Sequence, residues 1–322
     1  MVDNMRIKNA FNLLLSNLKL VFYDLFYRFV IAAVLVGIGA IFVVPFVEEL
    51  KASSEYLGLM ASAKDFLASY FNGNSGIAAD ADILRTSAID FVQMFTSKIA
   101  AQPGVAVGFF VLVILFTFFN GMFNYASGVA MDSYMSSLSH VSYHRAMLKN
   151  FGRGFWYQFL SAALGFVWTL VLLAICWLVF DLFVGGINIY ALPISIFLFV
   201  LGRSVLNSFL SNYMPSVVTE KRPVFNALGR SFEMGFKNFG ILFIQYVALS
   251  LFAMYVNASF AVFTLGAGLL LTIPGTCVCH SIVKLVNYYY FTKRKYYINY
   301  DHIVVPVELR GEDEKFLNGI KL

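Results

Sequence analysis

Charge is what this chain has least of. Asp, Glu, Lys and Arg make up 13% of its 322 residues, where a soluble domain carries about a quarter. Sixty percent of the residues are hydrophobic and the mean hydropathy is +0.75. A water-soluble fold has too little polar surface to cover that excess, so a soluble globular domain is excluded and the expected solvent is a bilayer. Cysteine is scarce too. Cys176, Cys277 and Cys279 are an odd set inside apolar runs, which excludes a disulfide framework and says nothing about redox compartment. Four histidines, His140, His144, His280 and His302, lack metal-ligand spacing. There is no G-x-S-x-G elbow, no H-E-x-x-H and no phosphate-binding loop, so no enzyme class is indicated and no cofactor is expected. "CVCH" at 277–280 has a metal cluster's composition, but a helix would point its two cysteines about 200° apart.

Apolar runs are what the chain has in place of these. Six are long enough to cross a hydrocarbon core as helices, at about 29–48, 105–128, 157–180, 189–212, 239–260 and 264–288. The expected fold is an all-α integral membrane protein, with a six-span domain over 1–290 and a tail over 291–322. The first run follows an amphipathic stretch and precedes no small-residue cleavage site, so it is expected to stay in the mature protein. Basic segments (1–28, 131–155, 213–238 and 293–295) alternate with acidic or uncharged ones at each crossing. Both termini are thereby expected in the cytoplasm of a bacterial cell, with the chain in its inner membrane.

Between the fourth and fifth runs lies "RPVFNALGRSFEMGFKNFG", residues 222–240. At helical spacing Phe225, Leu228, Phe232, Phe236 and Phe239 share one face, and Asn226, Arg230, Glu233 and Lys237 the other. One reading is a helix lying in the membrane plane, cations toward the headgroups; the other is a cytoplasmic loop helix packed on the protein. Two more stretches repeat the design: Lys8, Asn12 and Lys19 oppose Phe11, Leu14, Leu15, Leu18 and Phe22, and Arg145, Lys149 and Arg153 oppose Met147, Leu148, Phe151 and Phe155. Each precedes a pair of spans. With Ala10, Ala146 and Ala227 taken as equivalent, the chain divides into three copies of an interfacial helix plus a transmembrane hairpin, at about 1–130, 131–213 and 214–290. The first copy carries an extracytoplasmic insertion at 49–104. That insertion reads as a helical hairpin turning at "NGNSG" (72–76), with Leu57, Met60, Phe66 and Phe71 facing Ile83, Ile89, Phe91 and Met94. It serves either as a cap on the bundle or as a dock for a partner. "KYYINYDHIVVPVEL" in the tail reads as an extended segment needing a strand partner, and "GEDEKF" after it as solvated chain.

Polar residues within the spans carry the functional expectation. The second helix of each hairpin bears them: Asn120 and Asn124; Arg203, Asn207 and Ser211; His280, Lys284 and Asn287. Together Asn120, Asn124, Arg203, Asn207, His280, Lys284 and Asn287 are expected to form a cationic pocket for an anionic headgroup, since Arg forks a phosphate and Lys adds a point charge. The competing reading is that Asn and Ser tie helices together while Arg203 and Lys284 reach to the interface. No carboxylate is expected deep in a span, which argues against a proton or cation pump. Lys19, Arg145, Lys149, Arg153, Arg230 and Lys237 are the expected interfacial cations.

"MPSVVTEKRPVFNALGRSFEMGFKNFG" resembles a pattern found in a loose group of bacterial membrane proteins: YciC-like proteins and the membrane domain attached to some glycerophosphodiester phosphodiesterases. Pro215, Ala227, Leu228, Ser231, Asn238 and Phe239 carry the match, which covers about thirty residues. The resemblance implies a six-span helical bundle. The long insertion departs from the compact pattern, and no phosphodiesterase domain accompanies it. The functional expectation is a non-enzymatic protein engaging anionic lipid or a membrane partner in envelope homeostasis. An accessory or permease-like transporter subunit is the alternative, and an intramembrane enzyme acting on a lipid phosphate a weaker one. Expected partners are membrane lipids and, through 49–104 or 291–322, another protein; nucleic acid is not among them.

Overall fold

The computed structural model describes residues 2–72, 76–184 and 191–306; the tip of the "NGNSG" turn and the "GEDEKF" segment lie outside them. Nearly all of it is helix. Six helices are long and apolar enough to span a membrane, within Leu18–Ile41, Pro103–Ser137, Phe151–Val179, Ile194–Val218, Phe239–Phe263 and Leu269–Phe291. The chain is a multi-pass α-helical membrane protein. Its residues cluster into two compact units. One draws on 1–29, 118–174 and 197–322, the other on 30–117 and 175–196.

The first span begins well before the expected position near residue 29. After α1 (Val2–Ser16), α2 runs without a break from Leu18 to Lys51. The shift has a local cause. Asp24 and Arg28 sit four residues apart and pair with each other, so the surrounding Val21, Phe22, Leu25 and Phe26 continue the apolar run outward. A carboxylate therefore does lie inside a span, in the first two turns of Leu18–Ile41, where the expectation is that none lies deep in one.

Besides α2, the helices α5 (Pro103–Ser137), α7 (Phe151–Val184), α8 (Ala191–Phe209), α11 (Phe239–Phe263) and α12 (Leu269–Phe291) contribute spans, and the first unit holds their parts at 118–174 and from 197 onward. Half of the most apolar window of α12 is buried, against 6% for α7, so α12 is central to the core while α7 leaves Phe166, Leu170 and Leu173 exposed. Packed on α12 are α1, α11 and the short α9 (Tyr213–Val218). The fourth span is broken between α8 and α9 at Leu210–Asn212. Pro215 causes the break: it lacks an N–H, and its ring collides with the carbonyl four residues back, at Ser211. Pro215 thus lies inside the span's end instead of beyond it.

One junction occurs three times. Helices α1, α6 (Tyr143–Lys149) and α10 (Val224–Lys237) end at Asn17, Asn150 and Asn238, and a span starts at the next residue. Each asparagine turns its side-chain N–H back onto the carbonyl four residues earlier, at Leu13 (3.1 Å), Ala146 (3.3 Å) and Met234 (3.0 Å). A last-turn carbonyl thereby gains a hydrogen bond, at Met234 a second one beside the Asn238 N–H, while the chain changes direction. The opposite turn recurs as well: just past α5, α9 and α12 stand Leu138, Lys221 and Lys293 in left-handed backbone, φ near +55° at each.

Each of the expected amphipathic helices has a third face. In α10 the side that meets the protein is small: Ala227, Ser231 and Gly235 are buried, and Ser231 donates to the Phe209 carbonyl at 2.6 Å. Phe225 and Phe236 are exposed on one flank, Glu233 and Lys237 on the other. The helix therefore packs on the protein, as the second reading has it, while keeping an exposed apolar flank and an exposed charged one. Helix α1 likewise buries Arg6, Asn9, Ala10 and Leu13 and leaves Leu15 outside. Its Asn9 donates to the Tyr296 hydroxyl at 2.9 Å. Tyr296 belongs to β1 (Tyr296–Tyr297), which pairs antiparallel with β2 (Ile303–Val304). The tail strand finds its partner in its own chain.

In the second unit α3 (Ser54–Asn72) packs along α4 (Ile77–Ala101), the expected hairpin with a different seam. Phe66, Phe91 and Met94 are half-buried as expected, but Leu57, Met60, Phe71, Ile83 and Ile89 point outward. Small residues such as Ser62, Ala63, Ser87 and Ala88 occupy the seam instead, letting the helices approach closely and turning the bulky side chains away. Glu49, which accepts from Lys98 at 2.6 Å and Gln102 at 3.1 Å, ties the end of α2 to that of α4.

Two glycines of α10 test this packing. A Cβ at Gly235 would stand 3.0 Å from the Phe209 backbone, while at Gly229 it would meet nothing. Gly235→Ile is expected to lower stability by about 1–3 kcal/mol, and Gly229→Ala to raise it by up to about 1 kcal/mol. Thermal unfolding in detergent measures both.

Candidate functional site

Two polar clusters lie among the spans of the first unit, and they treat charge in opposite ways. The first is closed. Asp24 is fully buried on α2 and pairs with Arg28 one turn on. The Arg28 guanidinium also donates to Asn120 Oδ1 at 2.6 Å and Asn124 Oδ1 at 2.7 Å on α5. The carboxylate accepts from the hydroxyls of Tyr143 at 3.1 Å and Ser127 at 3.4 Å, and Tyr143 also reaches the Phe123 carbonyl at 3.0 Å. Burial, with the carboxylate beside it, pushes the Tyr143 phenol above its ordinary range and keeps it a proton donor. Every charge in this cluster has its complement within the chain.

The second cluster is open. Arg203 on α8 lies along α7, its Nη1 3.4 Å from the Thr169 hydroxyl, with its guanidinium 3.7 Å from where a Cβ of Gly165 would stand. Lys284 on α12 is within electrostatic range of Arg203, and both act on His280, one turn from Lys284. The imidazole stands 5.1 Å from the ring of Tyr246 on α11, whose hydroxyl shares a 2.7 Å hydrogen bond with Ser211. One turn further along α12, Asn287 donates to Gln245 Oε1 at 2.9 Å. Among the described residues no carboxylate pairs with Arg203 or Lys284. A cation held in hydrocarbon costs about 2.5–3.5 kcal/mol even on the lenient insertion scale, so two together require a counter-charge or water.

The seven residues expected in one pocket therefore divide. Arg203 lies within electrostatic range of His280 and Lys284, with Asn287 continuing the face of α12 that bears those two and Asn207 half-buried one turn beyond Arg203. Asn120 and Asn124 belong to the closed cluster, where Arg28 occupies both amide oxygens. Of the interfacial cations, Lys19, Arg145, Lys149, Arg153 and Lys237 are exposed. Arg230 is half-buried and, with Lys237, holds Glu233 at 3.0 and 2.7 Å. Those two hydrogen bonds keep the exposed Glu233 carboxyl below the usual carboxylate range. Cys277 lies beside Arg28 and His280 beside Tyr246, so "CVCH" does not converge; no three metal-ligating side chains cluster among the described residues.

Sequence reasoning missed Asp24, Arg28 and Tyr143, although "DLFYR" carried a legible signal: opposite charges four apart at the mouth of an apolar run. Thr169, Tyr246, Ser211 and Gln245 carried none, since single hydroxyls and amides are common in spans. The chain matches no family model, no curated protein and no solved structure.

The closed cluster predicts an asymmetry between its single and double variants. Asp24→Ala leaves a buried guanidinium unpaired and is expected to destabilise by about 3–5 kcal/mol. Asp24→Leu combined with Arg28→Met removes both charges and is expected to recover most of that loss, as read by thermal unfolding in detergent.

Proposed function

We propose that this chain is a non-enzymatic protein of the bacterial inner membrane that holds the phosphate of an anionic lipid between Arg203, Lys284 and His280, in the service of envelope homeostasis. The observation carrying this reading is the missing counter-charge. In the closed cluster a guanidinium kept inside the membrane receives a carboxylate from its own helix; at the open cluster the described residues supply none. Arg203 offers a planar fork of donors and Lys284 a compact charge, a pair suited to phosphate oxygens. The exposed Lys19, Arg145, Lys149, Arg153 and Lys237 stand beside exposed apolar residues such as Leu18, Phe151 and Phe236, which suits a headgroup layer over acyl chains. On this reading both termini are cytoplasmic and those cations meet the inner leaflet.

The same reading takes the membrane domain as three copies of an in-plane helix followed by a spanning hairpin. The junction asparagines Asn17, Asn150 and Asn238 support it and set its register. Seven residues after each stands a buried polar side chain: Asp24, Tyr157 and Gln245. Ala10, Ala146 and Ala227 precede the asparagines by seven, four and eleven residues, so this register replaces the equivalence taken from the alanines. It also fits the six-span bundle implied by the YciC-like resemblance at 214–240. A second reading, an accessory or permease-like subunit docking through 49–104, draws support from the outward Leu57, Met60, Phe71 and Ile83.

Native mass spectrometry tests the headgroup site. Arg203→Ala and Lys284→Ala are each expected to reduce co-purified anionic phospholipid about tenfold, the worth of one charge-assisted hydrogen bond, while Lys98→Ala leaves it unchanged. Loss of bound inorganic phosphate alone would assign the site to a free anion. Unchanged lipid and phosphate in both variants would remove it.

A further inference from the structure

A second, independent feature lies around α9, which packs on α12 and, through Tyr213, on Tyr157 of α7 with ring centroids 4.7 Å apart. Asn212, Tyr213, Asn287 and Tyr288 are inaccessible from outside, yet both side-chain polar atoms of Asn212, the Tyr213 hydroxyl and Asn287 Oδ1 have no hydrogen-bond partner among the described residues. Buried amides and hydroxyls are almost always bonded, and leaving each unbonded costs about 1–3 kcal/mol. The unpaired atoms also coincide with the Leu210–Asn212 break. Irregular backbone at membrane depth is tolerated only where it is buried in protein or lines a water-filled path, and broken helices recur at such sites.

Two polar lines continue this place to the site and to the chain outside the span. On α8 and α9, Arg203, Asn207, Asn212, Ser216 and Glu220 recur every four or five residues. On α12, His280, Lys284, Asn287 and Tyr288 share one face. Glu220, beyond the span, is bonded to Arg222 and Arg294.

We propose that the α9–α12 crossing is a hydrated polar seam, through which water reaches Arg203 and Lys284 from the Glu220 end. Its purpose rests on the anion reading above, but its existence does not. A headgroup entering sideways from the bilayer needs no such seam, and a seam can conduct water with no lipid bound.

Cysteine scanning of the full chain tests it, with Cys176, Cys277 and Cys279 replaced by serine. Asn212→Cys and Ser216→Cys are expected to react with a membrane-impermeant methanethiosulfonate on the order of tenfold faster than Val217→Cys, a dry core position of the same helix. Equal, slow labelling at all three positions overturns the seam. Hydroxyl-radical footprinting of the unaltered protein probes the same seam without substitutions. Tyr213 should oxidise severalfold faster than Tyr143, an equally buried phenol whose hydroxyl is fully bonded; equal rates contradict the proposal. Labelled seam positions with unchanged lipid in Arg203→Ala would keep the seam and discard the headgroup site. The converse pattern would keep the site and discard the seam.

Discussion

A charge inside hydrocarbon must be neutralised by something, and how this chain meets that demand organises the rest of its structure. At Arg28 the answer is internal: a carboxylate one turn away, two asparagine oxygens from α5, and a tyrosine from α6 that closes the far side. The arrangement joins the short α6 to two spans, α2 and α5. At Arg203 and Lys284 no such answer exists among the described residues. Two cations share a polar neighbourhood with His280, Tyr246 and Asn287, on helices whose other faces are apolar. Removing both charges would be the simpler way to build a dry bundle, since buried ion pairs seldom improve on good apolar packing. Their retention is why a phosphate is the proposed occupant.

The architecture follows from a second constraint, that backbone groups cannot be left unpaired in lipid. Where α1, α6 and α10 give way to a span, an asparagine folds back to bond a last-turn carbonyl. Where Pro215 breaks a span, the freed Phe209 carbonyl is taken by Ser231 of α10, which binds that helix to the break through a small-residue face. Backbone accounting, more than side-chain bulk, explains why the short helices sit where they do.

Much of this was legible in the amino-acid sequence, and the failures share a cause. Apolar run length was enough to place all six spans, because length and composition are what a bilayer selects. The exception in extent was the first, where Asp24 and Arg28 read as loop charges until their spacing is seen to cancel them. Periodicity located the amphipathic helices but misjudged their inward faces: Ala227, Ser231 and Gly235 meet the protein, and small residues carry little weight in a hydrophobic pattern. The same bias turned the 49–104 hairpin inside out, sending Leu57 and Phe71 outward while Ser62 filled the seam. The candidate site was half legible. Arg203 and Lys284 stood out as charges within apolar runs, but nothing in one chain reveals that Asn120 and Asn124 are taken by a guanidinium 92 and 96 residues away.

The central claim is that an external anion completes the Arg203–Lys284 pair. Imaging the protein by electron cryo-microscopy in nanodiscs of anionic phospholipid, at a resolution that separates headgroups from side chains, tests it most directly. Phosphate-sized density bridging the guanidinium and the ammonium, continuous with acyl chains, is the predicted result. Density in which a carboxylate of the chain itself pairs with these cations, or in which both side chains extend away from each other into solvent, would contradict it.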